Sequence, residues 1–128
     1  MTASSPPPGH STVSPYLVAT DAAATLAFAV GVLGGTELRR MPNGSGGVAH
    51  AEVRIGESVV MVGDAAPGWP ACPAHVHVYV PDVDATYRAA LAAGAASVQA
   101  PERTGDEDKR GGVKDAGGTT WWIATRGG

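Results

Sequence analysis

The chain has 128 residues, 44% of them hydrophobic, which supplies the core of one domain and leaves no room for a second. Its formal net charge of −3, with nine Lys and Arg scattered along the chain, leaves no basic stripe of the kind a phosphate backbone requires, so a nucleic-acid partner is not expected. No apolar run approaches the roughly 20 residues needed to cross a bilayer, and residues 1–14 lack the basic and apolar regions of a signal peptide, so the expectation is a cytoplasmic protein without a membrane partner.

Residues 1–12, with the run Pro6-Pro7-Pro8-Gly9, show no apolar periodicity and are expected to form a disordered tail. Folding is expected over 13–128. Ser14 to Ala19 reads as a strand, Asp21 as a helix cap and Ala22 to Leu33 as a helix that ends at Gly34-Gly35. Three strand-like segments follow: Glu37 to Met41, Val48 to Ile55 after a Gly-rich loop, and Val59 to Val62 after a tight Gly56-Glu57 turn. Cys72, the single cysteine, cannot form an internal disulfide and reads as a loop thiol, with a reactive nucleophile as the alternative.

About 60 residues on, the order repeats. His75 to Val80 reads as a strand, Asp82 as a cap and Val83 to Ala93 as a helix that Gly94 ends. Ala22, Leu26 and Val30 take the places of Val83, Tyr87 and Leu91, spaced so that each set lies along one helix face. Three further strands fit at Ala96 to Ala100, Gly111 to Lys114 and Thr119 to Thr125. The run Asp106-Glu107-Asp108-Lys109-Arg110 before the second of them reads as a solvated loop. The fold class is therefore α+β, with two tandem βαβββ modules, about 13–64 and about 74–126, forming a cupped mixed sheet with helices on its convex side.

This doubled unit, with Pro15-Tyr16-Leu17, His50 to Gly56, Val78 to Ala85 and Trp121 to Thr125, resembles the glyoxalase, bleomycin-resistance and dioxygenase superfamily, also called the vicinal oxygen chelate superfamily. The likeness covers nearly everything after residue 12 and is strongest to small antibiotic-resistance and uncharacterised members. It implies a ligand cavity on the concave side and, commonly, assembly as a homodimer. Relatives usually carry Asp-Pro-Phe-Gly before the last strand, where this chain has Asp115-Ala116-Gly117-Gly118; the turn should survive without the aromatic wall.

Alternate residues of a strand share a face, so His75, His77 and Tyr79 point one way and Val76, Val78 and Val80 the other. The valines suit the helices, which leaves two imidazoles and a phenol for the concave side. Ser14, Tyr16 and Val18 hold the equivalent places in the first repeat. The resemblance implies that metal-dependent members draw ligands from positions matching Ser14, Met61, His75 and Trp122, of which only His75 is a competent donor. No metal and no other cofactor are therefore expected.

Trp122 at the cavity floor favours stacking over ion binding, with Trp121 in the core; reversed parity would exchange the two. Trp69, between the modules, fits either the cavity lip or a plug or dimer contact, and the facing of His50 and Glu52 stays open. Arg110 borders the cavity entrance if the likeness holds.

The expected ligand site is thus Trp122, His75, His77, Tyr79, Tyr16, Trp69, Met61 and Ser14, with no catalytic residue assigned. The expected function is sequestration of an aromatic or glycosylated natural product without chemical change, as the resemblance to antibiotic-resistance members implies. The alternatives are a glyoxalase-like lyase or isomerase, a metal-free enzyme using His75 or His77 as general base, and a dimerising module with a vestigial pocket.

Overall fold

The computed structural model describes residues 6–103, 105 and 107–127. Module one runs β1 (Tyr16–Ala19), α1 (Ala22–Gly31), β2 (Thr36–Pro42), β3 (Val48–Ile55) and β4 (Ser58–Asp64). Module two repeats the order as β5 (Ala74–Tyr79), α2 (Val83–Ala92), β6 (Ala96–Arg103), β7 (Asp108–Lys114) and β8 (Thr119–Arg126). Both helices start on an aspartate cap: Asp21 accepts from the Ala24 N–H and Asp82 from the Ala85 N–H, each at 3.1 Å. Each cap satisfies one of the amide groups that a helix start leaves unpaired.

Each module forms its own four-stranded mixed sheet, ordered β1-β4-β3-β2 and β5-β8-β7-β6. The first strand of each module pairs in parallel with the last, Tyr16 opposite Met61 and His77 opposite Trp122. These registers put equivalent residues of the two repeats in equivalent places.

The core lies between the sheets and the helices. Leu17, Ala19, Val53 and Val62 of module one and Val113, Trp121 and Ile123 of module two are almost fully buried. Trp121 stacks on Phe28 of α1 with ring centroids 5.7 Å apart, so the core is continuous across the modules. Strand parity therefore sends Trp121 to the helices and Trp122 to the concave side, as the alternation of β8 requires.

Asp115, in the β7–β8 turn, fastens the junction. Its buried carboxylate accepts from Trp121 Nε1 at 2.8 Å, from Thr25 Oγ1 of α1 at 3.2 Å, and from the Gly117 and Thr119 amides. Thr20 also donates to the Gly117 carbonyl from both its amide and its hydroxyl. Beside this, the Cys72 amide donates to the Val18 carbonyl at 3.0 Å, which lays the approach to β5 along the edge strand β1. The Cys72 thiol is exposed.

Two segments differ from the sequence reading. The charge run after residue 105 is not a solvated loop where it is described, because β7 begins at Asp108. The strand's alternation sorts the charges: Lys109 turns to the helix side and pairs with Asp84 of α2 at 2.8 Å, while Asp108 and Arg110 pair with each other on the opposite face. Asp106 lies outside the described residues.

The expected tail likewise falls partly outside them, at residues 1–5, while residues 6–12 are tied to module one. His10 Nε2 bonds to Glu52 Oε1 at 2.8 Å, and Ser11 Oγ accepts from the Val59 amide at 3.3 Å. Periodicity is blind to such a segment because its anchors are polar and single.

Candidate functional site

The sheet face away from the helices collects the side chains able to recognise a ligand, and each module presents its own set. On module two, His75, His77 and Tyr79 share the exposed side of β5, and Trp122, Gly112 and Arg110 continue that side across β8 and β7 through the pairs His77–Trp122, Gly112–Trp122 and Arg110–Ala124.

The Trp122 indole N–H donates to His75 Nδ1 at 2.9 Å. Indole nitrogen is only ever a donor, so Nδ1 is unprotonated and the His75 ring carries its proton on Nε2. Arg110 Nε donates to His77 Nε2 at 3.1 Å, which by the same reasoning leaves the neutral His77 ring protonated at Nδ1. Tyr79 donates its hydroxyl to Asp108 Oδ2 at 2.8 Å, and that same oxygen accepts from Arg110 Nη2 at 3.1 Å. The hydrogen bond to the Asp108 carboxylate pushes the Tyr79 phenol above its ordinary pKa, so it stays neutral.

Module one arranges different chemistry at matching places. Tyr16, Glu52 and His50 lie on one face of β1 and β3, because Met61 pairs with both Tyr16 and Glu52. Glu52, buried, accepts from His10 Nε2 and His50 Nε2, both at 2.8 Å. The bonds to His10 and then to His50 hold the Glu52 carboxyl below its ordinary range, and the bond to Glu52 raises the pKa of His10. With its Nε2–H committed to Glu52, the neutral His50 ring leaves Nδ1 to accept from the Tyr16 hydroxyl at 3.1 Å. Trp69, half exposed, meets Tyr16 edge to face at 6.0 Å between centroids.

Of the residues singled out in the sequence, the structure brings His75, His77, Tyr79 and Trp122 onto one face, and Tyr16, Met61 and Trp69 onto or beside the other. Ser14 precedes β1 rather than belonging to it. His10, Asp108 and Gly112 were not among the residues singled out. The spacing His50-x-Glu52 does signal a shared strand face, but only the register shows that Tyr16 joins it.

A cleft of about 400 Å3 at the module junction takes His77 and Tyr79 from this set, but its other walls are mostly the β3–β4 turn, the start of β4 and the valines of β5, and Trp122, His75 and Tyr16 are not among its lining. The polar and aromatic groups converge on the open concave faces instead.

The four positions that the resemblance equates with metal ligands of other members hold Ser14, Met61, His75 and Trp122. A hydroxyl, a thioether and an indole do not suit a hard or borderline divalent ion, and the Nδ1 lone pair of His75 is already taken by Trp122. His10, His50 and Glu52 meet, but they are bonded to one another, and among the described residues no group of three His, Cys, Asp or Glu is placed to hold a metal ion. The residues present do not fit a metal, and no step through one follows. Among the described residues no helix is long and apolar enough to cross a membrane.

Comparison with known proteins extends these features. The chain is 36% identical over 122 residues to an uncharacterised protein of Mycobacterium bovis, covering 87% of this chain and 80% of that one. An uncharacterised protein of Mycobacterium tuberculosis is similar to the same degree, with 72% of its length covered. Among solved structures, TioX from a Micromonospora species superposes with a TM-score of 0.70 at 29% identity, covering 90% of this chain and 95% of that one. TnmS3, an antibiotic binding protein from a Streptomyces species, superposes with a TM-score of 0.69 at 18% identity, covering 91% and 99%, a likeness of fold alone. Residues 9–123 match the model of a single family, and the chain belongs to it: the Glyoxalase/Bleomycin resistance protein/Dioxygenase superfamily.

Proposed function

We propose that this protein binds and sequesters a small natural product, aromatic or glycosylated, and releases it chemically unchanged, as an antibiotic-resistance-like member of its superfamily. The observation that carries this reading is the pairing of Trp122 with His75: an aromatic surface on the concave face whose neighbouring imidazole has spent its lone pair on the indole N–H. His77 is similarly engaged by Arg110. A general base needs a free lone pair within reach of the proton it takes, so neither ring is set up for that work. Aromatic faces with a few placed polar groups are the usual furniture of small-molecule sites. TnmS3, with the same fold, is an antibiotic binding protein, and that analogy points the same way.

The working form is a homodimer in the cytoplasm. Tyr16, Trp69 and Tyr79 stand 41%, 51% and 59% exposed on the open faces, more aromatic surface than a monomer gains from leaving in water. A second copy that sets module one of one chain against module two of the other would cover it and complete each cup.

The test is intrinsic tryptophan fluorescence titrated with a panel of aromatic and glycosylated antibiotics, with and without divalent cations and with the mass in solution measured by light scattering. Saturable quenching that is indifferent to chelation, by a particle of twice the chain mass, is the expected result. Binding that requires a cation, or a monodisperse monomer, would overturn the corresponding part of the proposal.

One observation favours a second reading, a metal-free enzyme. The chain Tyr16 hydroxyl, His50 and Glu52 is a proton relay with a buried carboxylate orienting the imidazole, the arrangement that activates a nucleophile or an acid–base group. Turnover of any bound ligand, lost in Tyr16→Phe, would move the assignment to this reading.

A further inference from the structure

The Trp122 and His75 rings are inclined to each other by only 9°, with centroids 6.2 Å apart. Rings stacked face to face would be closer. The hydrogen bond between them fixes the geometry, because the indole N–H and the imidazole lone pair both lie in their ring planes, and a 2.9 Å contact between nearly parallel rings sets them side by side in one plane. Adding the half-width of each ring to that contact accounts for the 6.2 Å separation. Gly112, the cross-strand partner of Trp122, leaves room for this: a methyl at its Cα would stand 2.7 Å from Trp122 Cζ3 and 2.8 Å from Cε3.

From this geometry we infer that Trp122 and His75 act as one rigid, coplanar stacking platform, and that the ligand class it selects is a planar fused polycycle of about three rings rather than a single ring or a sugar. The indole alone offers two fused rings, and the imidazole joined through the N–H···N bond extends the plane by one more. A one-ring ligand covers only part of that plane, whereas a three-ring ligand covers both halves and gains dispersion from each. The bond also restricts the rotation of both side chains before binding, so a large ring system stacks at a lower ordering cost. His75 Nε2–H, which has no partner among the described residues, marks the outer edge of the plane and suits a carbonyl or other acceptor oxygen on the ligand rim.

This inference rests on the sequestration reading for its biological sense, but it is tested apart from it. In the ligand-free protein, nitrogen-15 NMR should show His75 unprotonated at Nδ1 and protonated at Nε2, with scalar coupling from the Trp122 indole N–H. A proton on Nδ1 would overturn the platform whatever the protein binds.

Binding is then measured by equilibrium dialysis with benzenesulfonate, naphthalene-2-sulfonate and anthracene-2-sulfonate, which share one anionic group and add one ring at a time. Affinity should rise at least about tenfold across the series, the equivalent of about 1.4 kcal/mol. His75→Ala and Trp122→Phe should flatten the series, since each leaves only one half of the plane. A flat series in the unaltered protein, or a steep one in His75→Ala, would overturn the inference. A steep series together with a natural ligand that is chemically converted would leave the platform standing and sink sequestration instead.

Discussion

The concave faces of modules one and two share strand order and register, yet their histidines are held by different partners. On module one, His50 and His10 turn Nε2 to the Glu52 carboxylate, which leaves the Nδ1 of His50 to accept a hydrogen bond from the Tyr16 hydroxyl. On module two, His75 and His77 give their lone pairs to the indole of Trp122 and the guanidinium of Arg110. Two copies of one backbone thus present different chemistry, a hydroxyl–imidazole–carboxylate chain on one and an aromatic plane of indole and imidazole on the other. Equivalent register places carry different side chains, Tyr16 opposite Met61 in one module and His77 opposite Trp122 in the other.

The sharpest way to break this comparison is to exchange neighbours on β8. Trp121→Ala should cost about 3–5 kcal/mol in urea denaturation, because it empties a fully buried site and strips Asp115 of a partner. Trp122→Ala should cost no more than about 1.5 kcal/mol, because its ring faces the concave side. Equal losses would mean that the parity of β8, and with it the assignment of module two's face, is wrong.

Gly112→Ala comes next, at about 1–3 kcal/mol, since the new methyl must displace the Trp122 ring or the backbone of β7. Near-ultraviolet circular dichroism should register the displaced indole. An unchanged spectrum at unchanged stability would show that Trp122 does not lie against β7.

For module one the sensitive variable is pH. Glu52 titrates lower in the folded chain than unfolded, so its contribution is present above the ordinary carboxylate pKa and is lost as pH falls through the depressed value. His10 titrates higher when folded, so its contribution is full below the ordinary imidazole pKa and disappears as pH rises through the raised value. Between those limits the segment carrying His10 and Ser11 should be held most firmly to β3 and β4. Amide exchange of residues 10–12, corrected for intrinsic rates, should be slowest in mildly acidic solution and faster on both sides. Protection that ignores pH in Glu52→Gln but not in the unaltered chain would confirm the source, and pH-independent protection in both would refute it.

The smallest effect belongs to the pair Arg126–Glu107, which joins the end of β8 to the residue before β7 but leaves both side chains about 70% exposed. Arg126→Ala should change stability by no more than about 0.5 kcal/mol. A larger loss would show that this strand end carries more of the module than its exposure implies.

Much of this architecture was legible in the sequence because it follows from period and punctuation. Asp21 and Asp82 announce the helices, Gly34-Gly35 and Gly94 end them, and the alternation of His75 to Val80 separates polar from apolar faces before any pairing is known. Tertiary hydrogen bonds are not periodic, and they leave no such mark in the sequence. Asp108 looked like one charge among five, yet in β7 it is buried and holds Tyr79 and Arg110. His10 sat in a stretch of prolines with nothing to mark Glu52, 42 residues on, as its partner. The candidate site was half visible: its residue types could be named from strand parity, whereas the tautomers that decide between base and donor depend on partners in other strands.

Conversion of the ligand is the point on which the account turns. The strongest binder from the antibiotic panel should be incubated with a twofold excess of protein for many hours, released by denaturation and weighed by mass spectrometry against an untreated control. Full recovery at unchanged mass and retention time, with binding lost in Trp122→Ala, is the result the account predicts. A mass shift or a new isomer that grows with incubation and vanishes in Tyr16→Phe would contradict it and place chemistry on module one.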